Sequence, residues 1–188
     1  SGLDASLRIW STKEPVERRR FSGHLGIPSV MVALPDGRFA VTASSSGELK
    51  LWDLNTGLCM RSISAHDEYI SGLLVPPGQS RICITASYDN MARVWDLTTG
   101  RCLHTFSGHT GPIYTMALMP DGLTVISGGV DTRVLLWNWQ TLQITRVLEA
   151  EDKVMCAAYW PNYDLIIAGR LDRKIKLFSL KTGNTGFD

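Results

Sequence analysis

The 188-residue chain is poor in the features that mark enzymes and membrane proteins. None of its four cysteines forms a CxxC pair, so the usual dithiol and zinc-binding signatures are missing. No hydrophobic run approaches the roughly 18 residues of a membrane helix, and no signal-peptide pattern opens the sequence. Neither sign of charge is in excess: 19 Lys and Arg against 18 Asp and Glu leave +1, which does not suggest a polyanion-binding surface. There is no Gly-rich nucleotide loop, no HExxH and no nucleophile elbow. No apolar stripe at helical spacing persists over ten residues, so no amphipathic helix is expected. These absences weigh against nucleic acid, membrane, metal and cofactor, and no catalytic set is expected. Cys59, Cys83, Cys102 and Cys156 read as reduced, buried thiols of an intracellular protein, cytoplasmic or nuclear.

What the sequence has is repetition, which decides the fold before any local motif does. Trp10, Trp52, Trp95, Trp137 and Phe178 are 42, 43, 42 and 41 residues apart. His24, His66 and His109 follow at 42 and 43, and the fourth such position is Glu151. An acidic residue stands six before the aromatic in four of the five units, as Asp4, Asp89, Asp131 and Asp172, and Ser46 stands there in the other. Cys59 and Cys102 each lie seven after their Trp, so they are equivalent positions rather than a disulfide pair.

Each unit has the same internal grammar. A short apolar run such as "IYTMAL" is followed by a turn with Pro ("LPDG", "PPGQ", "MPDG", "WPNY"). A β-branched run such as "RICITAS" comes next, then an alternating run such as "ELKLWDL" or "MARVWDL". A second turn ("LNTG", "LTTG", "LKTG") leads to one more short strand. Four short strands punctuated by Gly, Pro, Asn and Asp predict an all-β protein. The expected units are a partial 1–22, then 23–64, 65–107, 108–149 and 150–188.

Gly-His, then Asp, then Trp-Asp at this period resembles the WD-repeat family of β-propellers, over almost the whole chain. The resemblance implies four-stranded antiparallel blades around a central channel. It also implies a buried tetrad of His, Ser or Thr, Asp and Trp in each blade. Matched residue by residue, the tetrads are His66, Thr85, Asp89 and Trp95, then His109, Ser127, Asp131 and Trp137. The preceding unit offers His24, Thr42 and Trp52 with Ser46 in the acidic place. The last keeps only Asp172, beside Glu151, Ala168 and Phe178. Chemistry explains the residue types: imidazole both donates and accepts, a turn carboxylate accepts, and a buried indole N–H needs an acceptor. Ser127, His109 and Asp131 match a catalytic triad by type, but Thr85, His66 and Asp89 repeat the trio one unit earlier. Catalytic triads do not tile, so these residues are expected to be structural.

The chain opens on the second half of a unit and ends just after a third strand, so four near-complete units and one partial one are expected. Seven blades, the family's usual number, would need about 290 residues at this period, so an incomplete part of a larger, about seven-bladed propeller is expected. The basic "ERRRF" at 17–21 should lie on the outermost strand of the partial blade, where charge blocks sheet-to-sheet pairing.

The resemblance places partner binding on the face carrying the loop after Gly-His and the turn before the acidic residue. The matching positions are Ile27, Ser29 and Ser45; Tyr69, Ser71 and Tyr88; Pro112, Tyr114 and Val130; and Lys153, Met155 and Leu171. Tyr-rich and nearly uncharged, this surface suits a protein or peptide better than nucleic acid. Ile27, Tyr69, Tyr88, Tyr114, Lys153, Met155 and Leu171 are its candidate contacts. The expected function is a non-enzymatic protein–protein interaction scaffold, a propeller segment of a larger chain or complex. The alternatives are a regulatory propeller appended to an ATPase or signalling module, and a structural subunit of a large assembly.

Overall fold

In the computed structural model, residues 4–14, 16–181 and the strand Thr185–Gly186 are described. All regular structure among them is β. The first sheet pairs β1 (Ser6–Trp10) with β2 (Glu17–Ser22). The second runs in order through β3 (Pro28–Ala33), β4 (Phe39–Ser44), β5 (Glu48–Asp53) and β6 (Cys59–Ser64). The third holds β7 (Ile70–Leu74), β8 (Ile82–Ser87), β9 (Ala92–Asp96) and β10 (Arg101–Phe106). The fourth holds β11 (Ile113–Leu118), β12 (Thr124–Gly129), β13 (Arg133–Asn138) and β14 (Ile144–Glu149). The fifth holds β15 (Val154–Trp160), β16 (Leu165–Arg170), β17 (Ile175–Ser179) and β18 (Thr185–Gly186). All pairing is antiparallel between consecutive strands. The sheets stand side by side as propeller blades and do not close into a ring.

Burial across a blade explains the strand compositions. The second strands β4, β8 and β12 are covered on both faces and nearly fully buried, so they read as β-branched and small residues without alternation. The fourth strands β6, β10 and β14 are mostly exposed and mix polar with apolar residues. Packing is divided into four clusters, one between each pair of adjacent sheets, rather than one central core. Each third-strand aromatic packs toward the preceding sheet: Trp52 on Leu7 and Phe21, Trp95 in the cluster with Val41 and Leu49, Trp137 stacked on Phe106 at 4.2 Å. Trp10 is the exception, 55% exposed, whereas Trp52, Trp95 and Trp137 are buried.

The turn after the third strand explains the residue that follows each Trp. Asp53 Oδ1 accepts from the backbone N–H of Asn55 and Thr56 at 2.8 and 3.0 Å. Asp96 does the same for Thr98 and Thr99, and Asn138 for Gln140 and Thr141. A side-chain oxygen that satisfies two turn N–H groups fixes the reversal into the fourth strand.

Several expectations are corrected here. The last sheet carries a short fourth strand, β18, rather than stopping after its third. The "LKTG" turn before it falls partly on residues 182–183, outside the described residues. Only Cys83 is buried; Cys59, Cys102 and Cys156 are exposed. Cys59 and Cys102 lie on solvent-facing fourth strands, and Cys156 lies on the open inner strand of the last sheet. The "ERRRF" segment, as expected, forms β2, the outer strand of the two-stranded sheet, with Phe21 turned into the interface.

Candidate functional site

Two sets of side chains recur from blade to blade: a buried polar line within each sheet, and the loops of one face. In the third blade Trp95 Nε1–H donates to Thr85 Oγ1 at 2.9 Å, and Thr85 Oγ1 lies 2.7 Å from His66 Nε2. His66 Nδ1 lies 2.9 Å from Asp89 Oδ2. A carboxylate only accepts, so Nδ1 carries the proton and Nε2 accepts from the threonine hydroxyl. The line therefore runs in one direction, from indole to hydroxyl to imidazole to carboxylate. In the fourth blade Trp137, Ser127, His109 and Asp131 form the same line at 3.1, 2.8 and 2.8 Å. The histidine rings are enclosed, and no buried side-chain polar atom among the described residues lacks a partner. Such a line leaves no hydroxyl or imidazole free to attack a substrate, and it rigidifies the blade.

The second blade completes its line with a residue the repeat pattern did not single out. Trp52 donates to Thr42 Oγ1 at 2.8 Å, and Thr42 Oγ1 lies 2.6 Å from His24 Nε2. The acceptor for His24 Nδ1 is Glu48 Oε2 at 3.0 Å. Ser46, which occupies the acidic place in the sequence, places its hydroxyl 2.9 Å from Ser44 Oγ instead. Glu48 also takes the backbone N–H of Leu25 at 3.2 Å, as Asp131 takes that of Thr110 at 3.0 Å. It lies two residues beyond Ser46, across the left-handed turn at Gly47 (φ 74°), and its extra methylene spans the offset. The signal was the pairing of a missing Asp with a Glu two residues on, which no other unit has.

The fifth blade replaces the line with ion pairs. Glu151 stands where the histidine would be and meets Lys176 Nζ at 2.6 Å and Arg170 Nη1 at 3.4 Å. Arg170 in turn pairs with Asp172. Ala168 has no hydroxyl and Phe178 no N–H to give one, so the two losses match, and Lys176 lies over the Phe178 ring at 5.7 Å. Lys176 is opposite Ala168, as Lys50 is opposite Thr42 and Arg93 opposite Thr85. A cation two before the aromatic thus pairs with the acidic group in four units: Arg8–Asp4 at 2.5 Å, Lys50–Glu48 at 2.8 Å, Arg93–Asp89 at 2.7 Å and Lys176–Glu151. This second periodic signal was legible in the sequence and was missed. Leu135 occupies the place in the fourth unit.

These contacts move the titrations. Burial pushes the His24 and His66 rings below the ordinary histidine value, and their carboxylate partners restore only part of it. Burial opposes charge on Glu48, Asp89 and Asp131, but the donors aimed at them prevail and hold all three below the usual carboxylate range. Glu151 is lowered chiefly by the Lys176 bond, Asp172 by the Arg170 bond.

The face loops are tied by one repeated hydrogen bond. Ser45 N–H donates to Ile27 O at 2.8 Å, Tyr88 to Tyr69 O, Val130 to Pro112 O and Leu171 to Lys153 O, each at 2.9 Å. Four successive blades therefore present these pairs in the same register on one side of the array. Tyr88 bridges the tyrosines: its ring centroid lies 4.9 Å from that of Tyr69 and 5.1 Å from that of Tyr114, the latter on the next blade. Tyr69 and Tyr114 are half-buried; Tyr88, Ile27, Met155 and Leu171 are exposed, and Lys153 is half-buried. Ser29 and Ser71 do not belong to the open surface. Their hydroxyls donate across the blade boundary to Ile70 O at 2.7 Å and Ile113 O at 2.5 Å, stapling neighbouring inner strands.

The family model for the WD domain, G-beta repeat, matches residues 15–53, 57–96, 100–138 and 142–179. Each match begins near a fourth strand and ends at the next third strand, so the repeat in sequence straddles two blades. The chain is 26% identical to WD repeat-containing protein 3 of Homo sapiens over 94% of its own length and 15% of that protein's. It is 33% identical to the small ribosomal subunit protein RACK1 of Candida albicans, over 88% of this chain and 65% of that protein. The RACK1 of Medicago sativa is 31% identical over 95% of this chain and 70% of that protein.

Proposed function

The chain belongs to the WD-repeat family, and on that premise we propose that it is a non-enzymatic scaffold that binds a protein or peptide through its tyrosine face. The observation that carries this reading is the contiguous set Tyr69, Tyr88 and Tyr114, three rings in contact across two blades. Tyrosine gives large contact area at low entropic cost, and its hydroxyl still meets water when no partner is bound. None of the three belongs to a buried polar line, so the fold does not need them there. Ile27 on one side and Lys153, Met155 and Leu171 on the other extend the surface. An intracellular setting, cytoplasmic or nuclear, accords with four unpaired thiols.

A second reading is a structural subunit of a large assembly. The Candida and Medicago relatives are named as proteins of the small ribosomal subunit, which favours it. The test for both is Tyr69→Ala/Tyr88→Ala/Tyr114→Ala in the cell, with co-purifying proteins compared against wild type. Each hot-spot tyrosine should cost about 2 kcal/mol of binding, roughly 30-fold in affinity, with the melting temperature kept. An unchanged set of partners at unchanged affinity would remove the tyrosine face as the binding surface.

A further inference from the structure

The tyrosine cluster reaches the fourth blade, whose inner strand packs against that of the fifth. Val154 and Thr115 meet over Gly128: a Cβ there would lie 2.6 Å from Val154 Cγ1 and 3.3 Å from Thr115 Cγ2. Ala157 N–H also donates to Thr115 Oγ1 at 3.3 Å. Tyr114 and Lys153 are the chain neighbours of these contacting residues, on adjacent blades. Beyond Lys153 the fifth blade changes character. Its hairpin reads "RLDRKIK" at 170–176, where the third blade has "SYDNMAR" and the fourth "GVDTRVL".

Within that hairpin the charges divide into two groups. Arg170, Lys176, Glu151 and Asp172 neutralise one another as two cations and two carboxylates. Arg173 and Lys174 are exposed at the turn, and Lys153 is tied to the same loop through the Leu171 bond. Among the described residues none of these three forms an ion pair. Against them stand Asp152 and Asp172, the latter shared with Arg170, and the cations of these loops still outnumber the carboxylates. Beside Tyr69, on the side away from the fifth blade, Asp67 and Glu68 are exposed. The tyrosines are thus flanked by acidic residues on one side and basic ones on the other.

We infer that this face takes an extended peptide whose aromatic or aliphatic anchor seats on Tyr69, Tyr88 and Tyr114 and whose adjoining acidic residues lie on Lys153, Arg173 and Lys174. The inference rests on the reading of the tyrosine face as the partner site and adds the partner's chemistry and direction. Complementary charge sets orientation and rejects basic partners more than it adds affinity, so the basic end selects which peptide binds and which way round. A phosphate backbone would match the cations but not the acidic end beside Tyr69.

The test is selection of short random peptides, displayed on phage, against the full chain at low salt. Recovered sequences should join an apolar residue to two or more Asp or Glu. On Lys153→Ser/Arg173→Asn/Lys174→Ser the acidic enrichment should vanish while the apolar anchor persists; Asn suits the left-handed backbone of Arg173 (φ 68°). A selected acidic peptide should lose about tenfold in affinity on that variant at low salt and much less at high salt. On the tyrosine triple variant both features should vanish. An apolar consensus without acid, lost only on the tyrosine variant, would overturn the inference and leave the tyrosine face in place. A consensus indifferent to the tyrosines, or none, would overturn both. A short single-stranded RNA that binds more tightly than the selected peptides, and loses binding on the cation variant, would assign the cations to nucleic acid instead.

Discussion

Glu48 Oε2 lies 3.0 Å from His24 Nδ1 and does for the second blade what Asp89 and Asp131 do for the next two. The carboxylate arrives from two residues further along the chain, yet it meets the same ring nitrogen and, as Asp131 does, the N–H of the residue after the histidine.

Glu48→Ala should therefore destabilise the protein by about 1–3 kcal/mol, because it strands the buried His24 N–H and leaves the Lys50 ammonium without its carboxylate. Asp89→Ala should cost a similar amount, since it deprives His66 and Arg93 of their shared acceptor. Ser46→Ala removes one hydroxyl contact at a turn and should cost roughly 0.5 kcal/mol or less. Denaturant midpoints of the three variants check this. Equal losses at Ser46 and Glu48 would remove Glu48 from the line.

Acid should weaken the fold in two stages. His24 and His66 have folded pKa values below their usual 6.5, so the unfolded chain binds more protons there and stability falls as pH drops through about 6.5. Glu48, Asp89 and Asp131 have depressed values, so their contribution is complete above the ordinary carboxylate range and is lost as pH falls below about 4. Urea midpoints should be flat above about pH 7 and decline in both windows. A midpoint that rises on acidification from neutrality would contradict neutral, buried histidines.

Thiol reactivity should separate the four cysteines. Cys59, Cys102 and Cys156 are exposed and should be labelled by an aromatic disulfide reagent in the native protein. Cys83 is enclosed, with its thiol pKa pushed up by burial, and should react only on unfolding. Counting released chromophore before and after denaturant measures this: three thiols should react first and one later. Native labelling of Cys83→Ala that matches wild type would complete the assignment.

Thr132 should be replaceable at a profit in stability. The residue after the acidic position is left-handed in every unit, as Ala5, Gly47, Asn90, Thr132 and Arg173, with φ between 54° and 74°. A β-branched side chain is costly in that region, whereas Asn tolerates it. Thr132→Asn should raise stability by about 1 kcal/mol, because its backbone bond to Ala150 N–H is untouched. A lower denaturation midpoint for this variant would show that the threonine side chain holds something the backbone argument omits.

The period of the aromatic and histidine residues, the strand grammar and the all-β blade architecture were legible in the sequence. They depend on residue type at regular intervals, and a sheet buried on both faces tolerates few alternatives at its second and third strands. The resemblance to the WD-repeat family also implied His66, Thr85, Asp89 and Trp95, four residues joined in one hydrogen-bonded line. What only the tertiary structure decided is which atoms meet. A pattern compares equivalent positions, whereas a buried N–H is satisfied by whichever oxygen arrives in space, so Glu48 replaced Ser46 and ion pairs replaced the last line. Exposure of Cys59 and Cys102 depended on which strand of a blade faces solvent. The contact of Tyr88 with Tyr114 crosses a blade boundary, so it is set by the stacking of one sheet on the next, a relationship that no single repeat contains.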